Sequence, residues 1–167
     1  AWLSPPCPEY SVAKTTGHRD LKSADQTAKA SLRLVSQIRP RAWAIENPTG
    51  LLRHRRFMRP LLPYLQPTTY CMYNDFPYRK ETDIFTNIPC PLPHCRLTPC
   101  KNKSKYGRHP QTAQRGNSKN GTPGNKVELL HRVPHELVQK LFLFAHRDGD
   151  SSPSPFTPPH SDVRGGH

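Results

Sequence analysis

At 167 residues the chain has room for one ordinary domain, but only 34% of it is apolar and 20 residues are proline, so a core that uses the whole length is excluded. No stretch approaches the ~18–20 consecutive apolar residues of a membrane-spanning helix, which excludes that class. A net charge of +13 points to a polyanionic partner such as nucleic acid, while five irregularly spaced cysteines read as intracellular thiols rather than a disulfide framework.

The chain opens on a short apolar run, Ala1-Trp2-Leu3-Ser4, that ends in Pro5-Pro6-Cys7-Pro8. Two prolines fix φ and remove two backbone donors, so no ladder continues through them, and Cys7 is expected on a stiff corner. A cysteine after a strand is more often buried and inert. A second apolar run changes the balance: Trp43-Ala44-Ile45 leads into Glu46-Asn47-Pro48, again a polar residue released before proline. Two strands releasing a cysteine and a glutamate at equivalent ends make a candidate active site at the carboxyl edge of a sheet.

Between them, Leu21, Ala24, Ala28, Leu32, Val35 and Ile38 recur at spacings of three and four, which predicts a helix over 20–38. Asp20 is its expected N-cap, and Arg39-Pro40 its stop. Strand, helix and strand make a βαβ crossover with parallel neighbours. A short basic helix is expected over 50–58, and Pro60, Pro63 and Pro67 are expected to prevent regular structure up to Thr68. Strands are predicted near 68–73 and 83–87, forming a hairpin with Tyr78-Arg79-Lys80-Glu81-Thr82 at its tip. From Ile88 to Lys126 no periodicity is visible. Seven Lys or Arg, four glycines and no acidic residue lie between Lys101 and Lys126, so this stretch is predicted to lack regular structure until a partner orders it. A terminal helix is expected over 134–144 and a disordered tail from 148. The division expected is 1–87 for a partial catalytic domain, 88–126 for an irregular basic and cysteine-containing segment, 127–147 for a helical segment and 148–167 for the tail.

A free thiol is mostly protonated near neutrality, and the thiolate is the nucleophile. Glu46 is a poor base for it, but can hydrogen-bond or protonate a substrate as sulfur attacks. An aromatic nitrogen heterocycle fits that division of labour. With the motifs in this order, the chain resembles the cytosine-5 DNA methyltransferases, closest to phage-like and virus-like members. The residues carrying the resemblance are Pro5-Pro6-Cys7 with Tyr10-Ser11, Glu46-Asn47-Pro48 39 residues on, and the stretch from Tyr70 through Pro77-Tyr78-Arg79-Lys80-Glu81-Thr82 to Phe85. Val133-Pro134-His135-Glu136-Leu137 is similar to the last family motif. The resemblance covers 1–87 well and 127–144 weakly.

It implies an α/β fold, a partial Rossmann-like methyltransferase sheet followed by an irregular, Pro-rich C-terminal region. It implies that Cys7 adds to carbon 6 of a flipped cytosine, that Glu46 holds ring nitrogen 3 and the exocyclic amine, and that carbon 5 takes a methyl group from S-adenosylmethionine. Pro6, Asn47, Arg79 and Lys80 are the implied substrate-binding residues, and DNA the partner, with Lys101, Lys103, Lys105, Arg108 and Arg115 as candidate phosphate contacts. The basic motif departs from the family, with Tyr78 for its Gln and Lys80 and Thr82 at its arginine positions. The chain lacks an initiating Met and starts on a strand running to a site. It is therefore expected to be the C-terminal part of a catalytic domain without the glycine-rich cofactor half, and not to methylate DNA alone.

Other readings stay open. Ser4-Pro5-Pro6 also fits amino-group methyltransferases, although Cys7 stands where their stacking aromatic belongs. His18 or His54 beside Cys7 would make a protease-like dyad, without a flanking pattern to support it. Cys90, Cys95 and Cys100 with His94 and His109 invite a zinc reading, but their spacing is loose and free thiols with no metal are the expectation. A non-enzymatic remnant that binds nucleic acid through its cations is the further alternative.

Overall fold

The computed structural model describes residues 1–74, 76–97, 99–104, 107–112, 116–117, 122–123 and 130–147. The tail from 148 lies outside them. A four-stranded mixed sheet carries β1 (Trp2–Leu3), β2 (Ala44–Pro48), β3 (Leu65–Thr69) and β5 (Glu81–Thr86), in the spatial order β1-β2-β5-β3. β1 and β2 are parallel, with Trp2 beside Ala44 and Leu3 beside Ile45, while β5 runs antiparallel to both β2 and β3.

Helix α1 (Leu21–Ile38) supplies the crossover between the parallel pair. Its start follows the expected capping chemistry, because the Asp20 carboxylate accepts from the Ser23 amide at 2.9 Å. Its end also falls before Pro40, but Arg39 is not extended. It adopts a left-handed conformation with φ of 48° and returns its amide to the Val35 carbonyl at 2.9 Å, which closes the last turn.

The sheet is covered on both faces. Along β2 and β5 successive side chains alternate, so Ile45 and Phe85 pack with Tyr10, Ala28, Val35, Trp43 and Met58 on the α1 side. Ala44 and Ile84 pack on the other side with Tyr70, Phe76, Tyr78 and with Leu137 and Leu141 of helix α2 (His135–Arg147). The terminal helix, expected over 134–144, thus runs three residues further and shares its core with β2 and β5. No helix among the described residues is long and apolar enough to cross a membrane.

Several expectations are corrected. The third strand covers 65–69 rather than 68–73, and passes through Pro67. A proline is tolerated there because β3 is the edge of the sheet and needs hydrogen bonds on one side only. Residues 70–72 instead form a 3-10 turn. The stretch 51–64, expected to be a basic helix and then irregular, makes two consecutive 3-10 turns, Leu51–His54 and Arg56–Tyr64, which admit Pro60 and Pro63. The expected hairpin exists, but β5 begins at Glu81, and Tyr78–Arg79 form a separate short strand, β4, parallel to β6 (Gln111–Thr112). With β7 (Gly116–Asn117) and β8 (Thr122–Pro123), which pair antiparallel, the stretch 101–126 is not devoid of regular structure. Two-residue pairings leave no periodic trace for a sequence to reveal.

Gly50 fixes the approach of the Cys7 loop to β2. A Cβ built there would lie 2.2 Å from the Tyr10 carbonyl oxygen, a backbone atom that cannot rotate away. The same carbonyl accepts from the Leu51 amide at 2.9 Å, and Ser11 bridges Gly50. Gly50→Ala is expected to cost about 1–3 kcal/mol, as overpacking at a rigid contact does, read as a lower urea midpoint with an unchanged slope. An unaltered midpoint would mean that the loop does not press on Gly50.

Candidate active site

The parallel register sets the geometry. β1 ends at Leu3, level with Ile45, so Glu46 lies one residue beyond its carboxyl end and faces the space into which the Pro5-Pro6-Cys7 corner turns. Glu46 is not released past a strand end, as expected, but sits inside β2 opposite Ile84. By alternation it shares the α2-side face with Ala44 and is buried. Its carboxylate oxygen Oε1 accepts from the Tyr70 hydroxyl at 2.8 Å. Burial first, and then Glu46, holds the Tyr70 phenol well above its ordinary pKa, so Tyr70 remains a donor.

Lys80 completes the group. Its Nζ lies 4.7 Å from the centroid of the Tyr70 ring and donates to the Leu130 carbonyl at 2.9 Å. Burial lowers the pKa of this ammonium, while Glu46 and Cys7 oppose the shift, which puts all three groups within electrostatic reach. The Cys7 thiol is half-buried. Desolvation pushes its pKa up, Lys80 pulls it down and Glu46 pushes it up again. The thiol is therefore held protonated by its surroundings, with one cation favouring the thiolate.

The corner itself is strapped from behind. Asn47, buried on β2, donates from Nδ2 to the Pro5 carbonyl at 3.0 Å, while its Oδ1 has no hydrogen-bond partner among the described residues. The Cys7 carbonyl accepts from the Tyr10 and Ser11 amides at 3.0 and 2.9 Å. Tyr10, fully buried, donates its hydroxyl to Asp25 of α1 at 2.9 Å, and Arg55 grips the same carboxylate with Nη2 at 2.6 Å and Nε at 2.9 Å. Arg19 spans the loop by donating to the Glu9 carbonyl at 2.6 Å and the Ser11 carbonyl at 2.9 Å. Pro6 is exposed at the tip.

Of the residues singled out from sequence, Cys7, Glu46, Asn47 and Lys80 converge. Arg79 does not: its guanidinium pairs with Glu81, which Arg96 also reaches at 3.1 Å. Lys101, Lys103 and Arg108 are exposed, whereas Lys105 and Arg115 lie outside the described residues. His18 and His54 are both exposed, and neither is among the groups that perturb the Cys7 thiol. Tyr70, Asp25, Arg55 and Arg19 were not singled out. Their roles depend on contacts between residues distant along the chain, and only Tyr70, in the stretch before the basic motif, carried any signal.

The five cysteines form no disulfide. Cys90 is packed in the α2-side core, whereas Cys71, Cys95, Cys100 and His109 draw together into a group able to hold a metal ion.

The electrostatics predict a rate order for alkylation of Cys7 by iodoacetamide at pH 8, followed by peptide mapping. Glu46→Gln removes the charge that raises the thiol pKa and is expected to react several-fold faster than the native chain. Lys80→Met removes the cation that lowers it and is expected to react several-fold slower. The reverse order would separate these side chains from Cys7.

No family model matches the chain, and no solved structure matches it. Among curated proteins it is similar to a probable DNA (cytosine-5)-methyltransferase of Frog virus 3 (isolate Goorha), with 26% identity over 160 residues that cover 84% of this chain and 72% of that protein. A match of that extent exceeds 1–87 and 127–144 together, so it takes in part of the cysteine- and lysine-containing segment between them. This distant similarity supports a methyltransferase family.

Proposed function

We propose that the chain performs the base-recognition and nucleophilic steps of DNA (cytosine-5)-methyltransferase chemistry, on a partial Rossmann-like sheet. The observation that carries the reading is the meeting of the Cys7 thiol, the Glu46 carboxyl group and the Lys80 ammonium at one sheet edge. A cytosine must leave the duplex to reach such an edge. The Cys7 sulfur, deprotonated beside Lys80, forms a bond to ring carbon 6. The C5–C6 π pair moves towards carbon 5, and Glu46, oriented by Tyr70, holds ring nitrogen 3 and the exocyclic amine as charge develops. Carbon 5 is then electron-rich. After it has taken an electrophile and lost its hydrogen, the S–C6 bond breaks and the thiolate returns.

S-adenosylmethionine is the methyl donor that the similarity implies. Among the described residues the fit is poor, because the β1–α1 connection is taken up by the Cys7 loop and contains Gly17 alone, which makes no glycine-rich cradle for such a group. The chemistry of this chain's own residues therefore runs as far as the activated carbon 5.

Asn47 acts on the corner rather than on the base, by holding the Pro5 carbonyl. Lys80, rather than Arg79, is the cation assigned to the reacting group. Exposed Lys101, Lys103 and Arg108 are assigned to phosphates, which position the duplex without reading its sequence. An amino-group methyltransferase is less well supported, since the nearest aromatic after the proline pair, Tyr10, is fully buried on Asp25 and cannot stack on a base.

Exchange of tritium from carbon 5 of cytosine requires only addition and elimination, with a solvent proton as electrophile, and so needs no methyl donor. A duplex pool of random sequence carrying 5-tritiated cytosine is expected to release label to water in the presence of the native chain. Cys7→Ala is expected to abolish release, and Glu46→Gln to slow it by ~10²-fold or more, as loss of an acid–base group does. Undiminished release by Cys7→Ala, or none from the native chain, would refute the assignment. DNA binding is expected to weaken with salt, and replacing both Lys101 and Arg108 with Ala to reduce the slope of log K against log salt by about 1.8, near ~0.9 per phosphate contact. An unchanged slope would place the duplex elsewhere.

A further inference from the structure

We propose that Cys71, Cys95, Cys100 and His109 bind one structural zinc ion. The three thiols and one imidazole offer a ligand atom each, and all four lie within 4.8 Å of one another. The His109 Nε2 is 3.5 Å from the Cys95 sulfur and 3.5 Å from the Cys100 sulfur. In a tetrahedral site with Zn–S near 2.3 Å and Zn–N near 2.0 Å, neighbouring ligand atoms are separated by about 3.5–3.8 Å. The cluster is thus at, or close to, the separations that zinc requires. Soft thiolates with an imidazole in a tetrahedral arrangement select zinc over hard, octahedral cations.

The grouping departs from the arithmetic of the sequence. Cys95 and Cys100 belong to it, but Cys90 is buried in the core and His94 turns its Nδ1 to the Arg96 amide at 3.3 Å. The fourth ligand comes instead from Cys71, on the 3-10 turn directly after Tyr70. The surroundings suit an anionic centre. The Cys95 amide donates to the Thr69 hydroxyl oxygen at 2.8 Å and Asn102 donates to the Cys71 carbonyl at 2.9 Å, which fixes the backbone of two ligands. Three thiolates around a dication leave one negative charge, and Lys103 and Arg79 lie within electrostatic reach of His109. Binding replaces the three thiol protons with S–Zn bonds and releases them to solvent.

Four protein ligands leave no open position, so the ion is structural rather than catalytic. Its work is mechanical. It ties Cys95, Cys100 and His109 to the turn that aims Tyr70 at Glu46. This inference rests on the cysteine and histidine geometry alone and is independent of the methyltransferase reading.

The test uses the full chain expressed in zinc-supplemented medium. One equivalent of zinc by mass spectrometry of the metal is expected to survive gel filtration. Cobalt substitution is expected to give the intense ligand-field bands of a tetrahedral thiolate site. Cys100→Ser and His109→Ala are expected to lose the metal, whereas Cys90→Ser and His94→Ala retain it. Should Cys100→Ser fail to fold, His109→Cys keeps the question open to refutation: four thiolates should retain the ion and raise the sulfur-to-cobalt charge-transfer intensity by about one third, in proportion to the thiolate count. Absence of metal with no cobalt bands on titration would overturn the proposal, as would zinc retained by both Cys100→Ser and His109→Ala, zinc lost on Cys90→Ser, or an unchanged charge-transfer intensity in His109→Cys.

Discussion

One carboxylate holds three parts of the chain in register. Asp25, facing the sheet from α1, accepts hydrogen bonds from the hydroxyl of buried Tyr10 and from both Nε and Nη2 of Arg55. The Cys7 loop, the crossover helix and the 3-10 turns after β2 therefore share a single anchor. A buried phenol without an acceptor would cost about 1–3 kcal/mol, and a carboxylate in that position without its guanidinium would be a charge poorly placed among apolar neighbours. Each member makes the others tolerable. The stiffness of the Pro5-Pro6 corner matters only because its far end is pinned in this way.

The candidate site sets two requirements against each other. In the proposed reaction Glu46 would have to lie close to the sulfur to act on the same ring, yet its charge opposes the thiolate. Lys80 eases the conflict by facing both, and does so from a position where burial already disfavours its own charge. Tyr70 separates the roles further. It donates to Glu46 while its ring lies under the Lys80 ammonium, so one aromatic side chain orients the acid and accommodates the cation. The arrangement is more polarised than a cysteine and a glutamate alone would be, and more sensitive to the placement of residues 70–80.

What could be read without coordinates was local. A proline pair, a three-and-four spacing and an N-cap aspartate act within a few residues of themselves, so Cys7, α1 and the parallel β1–β2 pair were all visible. Glu46 was visible because Asn47-Pro48 follows an apolar run, although its place inside the strand was not. Pro67 misled because a proline breaks a central strand but not an edge one, and nothing in Leu65-Gln66-Pro67 states that β3 has a neighbour on one side only. The insertion of β5 between β2 and β3, which brings the neighbouring Lys80 near Glu46, depends on a register between segments far apart in the chain. The grouping of Cys71 with Cys95, Cys100 and His109 is equally a tertiary matter. Its ligands span a gap of more than twenty residues that no short spacing rule covers.

Among the described residues, the two margins of the sheet end in the same residue type. β1 runs into Pro5-Pro6 after two residues, and β3 carries Pro67 opposite Asp83. A foreign strand approaching either margin finds a broken row of amides and nothing to propagate along. For a basic chain with a small core, which must open locally as every marginally stable protein does, this is protection against polymerisation. The prolines that stiffen the Cys7 corner also make the sheet a poor template for fibrils.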